Sequence, residues 1–338
     1  MLTYRNVLGT FAILMGLVQF LHAAQPPVKL ELVEVKKIWD RAPHNAFTDL
    51  TRFGGNWYLA FREAASHGVN GKGKVRVIRS ADGKHWKSVA LLDYGPKWDT
   101  RDAKLNVLPD GRLMLNTAAA PLANKQSRQS LAWFSKDGKD WSDGPHKVGE
   151  LDWWLWGVNV HPDGTIYGVG YGDLQKRPFT TRLYRSRNGL DYKTIVPTLT
   201  KAPHTGETAL LFRKDGSTVA LVRGKMDSWV GVARKGLTDW SFKRLKPKVG
   251  GPELIELPDG TILAGTRLYD KAMRTSLCWL DPEAGRLVEL LTLPSGGDTS
   301  YPGMVWHKGL LWVSYYSSHE GRSSIYLAKV RVKEIHPQ

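Results

Sequence analysis

After residue 25 the chain carries no long stretch with the hydrophobic period of a helix. Short β-rich runs follow one another instead, separated by Gly, Asp-Gly and Asn-Gly turns. The turns fall into two series. One comprises Gly54-Gly55, Asp110-Gly111, Asp163-Gly164, Asp215-Gly216, Asp259-Gly260 and Lys308-Gly309. The other comprises Asp82-Gly83, Asp137-Gly138 and Asn188-Gly189, with weaker turns near Thr238-Asp239 and Ala284-Gly285. Each series repeats at roughly 45 to 55 residues, the length of a four-stranded propeller blade. The first series is expected to join the inner strands of a blade, as in Ala103–Leu108, Pro109-Asp110-Gly111 and Leu113–Thr117; the second joins the outer strands, as between Val75–Ser80 and Trp86–Leu92. Six first-series turns predict an all-β, six-bladed propeller of four-stranded antiparallel blades. The sixth blade lacks a fourth strand after Ser324–Val330. Lys29–Lys37 is expected to supply it, closing the ring by pairing the two ends and leaving no open sheet edge.

The N-terminus has a different pattern. Arg5 precedes the apolar run from Val7 to Leu21, and Ala23-Ala24 is followed by Gln25-Pro26-Pro27. This is the layout of a cleaved secretory leader, too short to serve well as a spanning helix. Residues 1–24 are therefore expected to be a signal peptide and 25–338 a single propeller domain without a linker. The mature chain is expected to be secreted or periplasmic, free of the membrane and monomeric. Cys278, in the apolar stretch Ser276–Leu280, is the one cysteine, so no intramolecular disulfide can form and a buried structural thiol is expected.

Charge narrows the partners. The chain has 48 Lys+Arg against 32 Asp+Glu, a formal +16, spread along its length rather than gathered in a tail. Such a field attracts polyanions. Export removes nucleic acid as a partner and leaves an acidic glycan as the expected one. No His or carboxylate spacing suggests a metal, and no cofactor is expected.

If the first-series turns occupy one rim, strand starts and second-strand ends meet on the other rim, around the central pocket. Polar residues recur there in all six blades: Asp49, Arg62 and His67; Arg101 and Asp102; Trp156; Glu207 and Arg223; Glu253, Arg267 and Arg274; and Asp298 to Tyr301, with Tyr316 and His319. Each has a plainer explanation as a surface ion pair or core residue. Arg223 and Arg267 stand out because they hold equivalent positions in neighbouring blades.

The segments Ser80-Ala81-Asp82-Gly83-Lys84-His85-Trp86 and Ser135-Lys136-Asp137-Gly138-Lys139-Asp140-Trp141 match the Asp-box pattern S-x-D-G-x-x-W, and Ser186-Arg187-Asn188-Gly189-Leu190-Asp191-Tyr192 is a degenerate copy. In such a turn the Asp accepts from turn amides and Gly takes a positive φ. With these boxes the chain resembles the sialidase (neuraminidase) superfamily of Asp-box propellers over nearly its whole mature length. The resemblance implies an exo-glycosidase with a tyrosine nucleophile, a glutamate that activates it and arginines that hold a substrate carboxylate. Tyr301 in Thr299–Gly303 matches the nucleophile, and Glu207 in Gly206–Ala209 followed by Arg223 matches the glutamate and an arginine. The chemistry suits an acidic sugar, because a neutral phenol is not repelled by a carboxylate beside the anomeric carbon.

Two family features are missing. The first-blade motif reads Phe47-Thr48-Asp49-Leu50, without its arginine, and the loop after Glu63 holds Ser66 and His67 but no Asp before Lys74. Arg62 and Arg101 are the expected replacements for the arginine, and Asp49, then His67, for the acid. Arg62, Arg223 and Arg267 are expected to bind the carboxylate or a sulfate, with Arg101, Asp102, Trp156, Glu253 and Arg274 as further substrate contacts. Two other readings stay open: a polysaccharide lyase in which His67 or Tyr301 removes the proton α to a uronate carboxylate, and a glycan-binding propeller without catalysis.

Overall fold

The structure is a computed structural model that describes residues 25–123, 127–172, 179–234 and 236–335; the expected signal peptide lies outside the described residues. Its strands form six four-stranded antiparallel sheets. Strands within a sheet are called a to d from the axis outward. Blade 1 runs His44–Phe53, Asn56–Ala64, Lys74–Ser80 and Lys87–Leu92. Blades 2 to 5 follow in order, with inner strands Trp98–Val107, Trp154–Val160, Thr205–Phe212 and Val249–Glu256. The inner strand of blade 6 is Thr299–His307, and the six inner strands stand next to one another around the axis.

The two ends close the ring as expected. The N-terminal strand Val28–Trp39 pairs antiparallel with Ser324–Glu334, from Val28 opposite Glu334 to Trp39 opposite Ile325. The paired strands are longer than the sequence pattern suggested. All six first-series turns join strands a and b. The three S-x-D/N-G turns form the same hydrogen-bonded loop. In blade 2, Asp137 Oδ1 accepts from Lys139 N at 2.8 Å and Asp140 N at 2.9 Å, and Ser135 Oγ accepts from Gly138 N at 2.9 Å. Gly138 has φ 71°, and a Cβ there would lie 2.3 Å from the Tyr58 hydroxyl of blade 1, so the turn also seats one blade on the next.

Each inner strand is interrupted at one level by a β-bulge. In blade 1 Phe47 and Thr48 oppose the single residue Phe61, between the pairs Ala46–Arg62 and Asp49–Ala60. The same two-against-one step places Asp102-Ala103, Gly206-Glu207, Gly251-Pro252 and Tyr301-Pro302 in bulges of blades 2, 4, 5 and 6, and a single extra residue, Trp156, in blade 3. Phe47, Asp102, Gly251 and Tyr301 take left-handed φ values of 60°, 56°, 56° and 51°. A bulge breaks strand alternation and re-aims a side chain. Six bulges at one height therefore turn a ring of side chains toward the axis and divide it into two levels.

Candidate functional site

The upper level is built from bulge residues. Tyr301 Oη donates to Glu207 Oε1 at 2.5 Å. Glu207 also accepts from Arg223 Nη1, 2.8 Å from each oxygen, and from the Gly251 amide at 2.8 Å. Gly251 is required there: its φ is positive, and a Cβ would press on the Tyr301 ring at 2.7 Å. Thr48 Oγ1 donates to the Tyr301 carbonyl at 2.6 Å and steadies the strained backbone from the neighbouring blade. Burial tends to raise the Glu207 carboxyl, but the Arg223 charge and the three donors outweigh it and hold Glu207 below the usual carboxylate range. Burial and the Glu207 charge push Tyr301 well above the ordinary phenol value. The pair is thus a neutral phenol donating to an ionised carboxylate.

Asp102 belongs to the same level. Its side chain is buried, Oδ1 has no hydrogen-bond partner among the described residues, and Arg101 Nε stands 4.0 Å away. Burial raises its carboxyl to about 6, with Arg101 opposing and Glu207 adding to the rise. Arg101 lies 4.8 Å over the Phe47 ring, which in turn packs 4.9 Å from Tyr301. Arg267 stands 5.6 Å from the Tyr301 ring, donating Nε to the Thr299 carbonyl at 2.6 Å and Nη2 to Tyr316 Oη at 2.8 Å. A cavity of about 370 Å³ opens beside Glu207 and Arg223, walled by Tyr171, His204 and Lys225.

The other expected site residues lie elsewhere. Asp49 comes after its bulge and faces the lower level, with Lys104 and Glu253 around a cavity of about 210 Å³ that Tyr301 and Glu207 do not line. Asp49 accepts from Leu105 N at 2.6 Å and lies 3.8 Å from Lys104, which bonds Glu253 at 2.8 Å. Asp49 is therefore corrected from acid to lining of that separate cavity, and Glu253 from substrate contact to partner of Lys104. Trp156 is buried at 1 % exposure, edge-on to Tyr301 at 6.3 Å and with Lys104 4.9 Å over its ring, so it forms the floor and offers no face to a sugar. Arg274 pairs with Glu289 at 2.7 Å and Asp270 at 2.9 Å, away from the cluster.

Arg62 is also reassigned. It is fully buried, and its donors go to Asp99 Oδ1 at 2.6 and 3.1 Å, to the Ser66 and Gly68 carbonyls at 2.9 Å each, and toward His44 Nδ1 at 3.4 Å. No donor remains for a substrate carboxylate. Arg62 ties the loop carrying His67 to blade 2.

Burial lifts Asp49 to about 6, with Lys104 opposing and Glu253 reinforcing the rise. The folded state then keeps a proton that the unfolded chain has already released. The resulting stabilisation is full below the ordinary carboxylate value and is lost as pH rises through about 6. Asp49→Asn removes this dependence. The stability of Asp49→Asn relative to wild type is expected to rise by about 1–3 kcal/mol between about pH 4 and pH 7.5 in denaturant melts. An unchanged difference across that range contradicts the assignment.

Sequence reading missed His44 and the centrality of Asp298. Asp298 Oδ2 contacts His44 Nε2 at 2.8 Å and His67 Nδ1 at 2.7 Å, and Oδ1 accepts from Tyr316 Oη at 2.8 Å. Burial would raise Asp298, but these hydrogen bonds and the His67 charge hold it far below the usual range. The donor atoms of His44, His67 and Asp298 lie within 4.8 Å of one another, close enough to share a metal ion. The surroundings oppose a cation: Arg267 Nη2 stands 3.5 Å from Asp298, and Arg62 points an N–H at His44 Nδ1, which leaves Nε2 as the protonated nitrogen facing Asp298. His44 opens the inner strand of blade 1, so the rim rule that gave Asp298 and Tyr301 would have found it too.

No protein-family model matches the sequence, and no curated protein sequence does. Solved structures do match. A protein of unknown function from Dyadobacter fermentans superposes with a TM-score of 0.79 at 19% identity, over 90% of this chain and 100% of that one. The GH93 α-L-arabinofuranosidase of Fusarium graminearum, solved with arabinobiose, matches with a TM-score of 0.70 at 12% identity, over 89% and 98% of the two chains. The Trypanosoma rangeli sialidase, solved as a covalent intermediate with difluorosialic acid, matches with a TM-score of 0.66 at 11% identity; 85% of this chain covers 54% of the sialidase, about half its length. By fold, this chain is a six-bladed propeller of the architecture shared by sialidases and a GH93 arabinofuranosidase.

Proposed function

We propose that the chain is an exported retaining glycosidase that removes a terminal acidic sugar, with Tyr301 as nucleophile and Glu207 as its base. The observation that carries this reading is the 2.5 Å hydrogen bond from Tyr301 to Glu207. A neutral phenol approaches an anomeric carbon that bears a carboxylate without charge repulsion. As its oxygen bonds to that carbon, its proton passes to Glu207, which Arg223 keeps available as a base. Arg223 Nη2 and Arg267 Nη1 have no hydrogen-bond partner among the described residues, and with Arg101 they support recognition of an anion. The orphaned Asp102 Oδ1 suits a sugar hydroxyl.

The test is turnover of aryl glycosides of sialic, related keto-sugar and uronic acids, with an arabinofuranoside as the neutral comparator. The best acidic substrate is then replaced by its fluorinated, slowly released analogue, and the labelled peptide is identified by mass spectrometry. Label on the peptide containing Tyr301 is expected. Label elsewhere overturns the nucleophile, preference for the arabinofuranoside overturns the acidic substrate, and a new unsaturated-uronate absorbance marks a lyase.

A further inference from the structure

We propose that His67 is the proton donor to the leaving group, and that Asp298 positions it. This rests on the glycosidase reading. Tyr301, Glu207 and Asp102 lie buried in the site: Tyr301 and Asp102 are 9 % and 8 % exposed and Glu207 is 7 % exposed. The departing part of a glycan must point toward solvent, so its oxygen faces the rim. The group that protonates it must stand there as well. His67 does so, with its side chain 54 % exposed on the loop that follows strand b of blade 1.

The mobility of an exposed imidazole is limited by its partners. Asp298 Oδ2 engages His67 Nδ1 at 2.7 Å, which commits Nδ1–H to the carboxylate and leaves Nε2, which carries a proton in the imidazolium, as the nitrogen that can meet substrate. The ring packs edge-on against Phe47 at 5.4 Å, and Phe47 separates it from Tyr301. The loop is held from below, where Arg62 binds the carbonyls of Ser66 and Gly68 and Arg101 Nη2 donates to the His67 carbonyl at 3.1 Å. Asp298 is itself fixed by Tyr316 and by His44. His67 thus sits on a braced frame, across Phe47 from the nucleophile.

The steps balance. Tyr301 Oη bonds to the anomeric carbon while the glycosidic C–O bond breaks. The phenol proton goes to Glu207, and the His67 Nε2 proton goes to the departing oxygen. Water then attacks the anomeric carbon and returns a proton to His67 Nε2. The Tyr301–carbon bond breaks, and the phenol recovers its proton from Glu207.

The test uses one sugar on two leaving groups: a dinitrophenyl group, which departs without protonation, and a methyl group, which requires it. His67→Ala and Asp298→Asn are expected to slow methyl glycoside cleavage by about 10²–10⁴-fold and dinitrophenyl glycoside cleavage by less than about tenfold. Tyr301→Phe is expected to slow both alike. Azide is expected to accelerate His67→Ala on the dinitrophenyl substrate, because a small anion needs no base for the second step. Equal losses on the two leaving groups in His67→Ala, with turnover otherwise intact, overturn His67 as donor. A leaving-group-dependent loss confined to Asp102→Asn transfers the role to Asp102. If Tyr301→Phe retains wild-type rates, the nucleophile reading fails, and if wild type cleaves no glycoside, the glycosidase reading and this proposal fail together.

Discussion

Tyr301→Phe and Glu207→Gln are each expected to lower kcat on the best substrate by at least about 10²–10⁴-fold while leaving the melting temperature within a few degrees of wild type. The two side chains act as one unit. Without the hydroxyl there is no nucleophile, and without the carboxylate the phenol must lose its proton unaided. Burial and the Glu207 charge oppose that ionisation, since both raise Tyr301 well above its ordinary value. The double variant is therefore expected to be no slower than the worse single variant. Glutamine keeps the shape of Glu207 and so separates base catalysis from packing, although it gives up the charge that holds Arg223. Steady-state kinetics with calorimetry on the same preparations distinguish the outcomes. Single variants whose effects multiply would mean that Tyr301 and Glu207 act independently, and a variant with wild-type kcat would remove that residue from the mechanism.

The second large effect is on stability. Arg62 and Asp99 form an ion pair with both side chains at 0 % exposure. Removing one partner strands the other charge in the protein interior, and Asp99→Ala is expected to cost about 3–5 kcal/mol. The consequence extends beyond stability. Arg62 carries the loop that holds His67, and the Gly73 amide also donates to Asp99. Loss of Asp99 should therefore loosen the rim as well as the fold. The double variant Arg62→Leu/Asp99→Leu is expected to melt above Asp99→Ala, because two apolar side chains avoid the stranded charge. Urea melts of the wild type and the two variants provide the comparison. A loss below about 1 kcal/mol for Asp99→Ala would mean that water reaches Arg62.

Turn chemistry was legible in the chain because it is local. Asp-Gly and Asn-Gly turns at blade spacing fixed where strands a and b and strands c and d would meet, and counting them predicted six blades and the closing strand. That Glu207, Arg223 and Tyr301 would meet was legible because strand starts and strand ends converge at one rim of a propeller. The same reasoning misplaced Asp49 and Glu253. It treated a strand start as a single position, whereas a bulge divides each inner strand into two levels, and these two residues fall just past theirs.

Arg62 was misjudged for a related reason. Its place at a strand end was correct, but its partner Asp99 is 37 residues away in blade 2. A buried guanidinium with every donor used looks, in sequence, the same as one waiting for a substrate. His44 and Asp298 met the rim criterion, yet their importance lies in a contact across 254 residues.

The amino-acid order thus determined what depends on neighbours along the chain: turn types, strand succession, the number of blades and the residues presented at the rim. Only the tertiary structure decided what depends on neighbours in space. The left-handed backbone at Phe47 and Tyr301 has no local residue preference to announce it and is held by adjoining blades, as by the Thr48 hydroxyl on the Tyr301 carbonyl. Whether a buried carboxyl is held low, as Glu207 and Asp298 are, or pushed up, as Asp49 is, follows from the groups that folding brings beside it, and many of those come from other strands or blades.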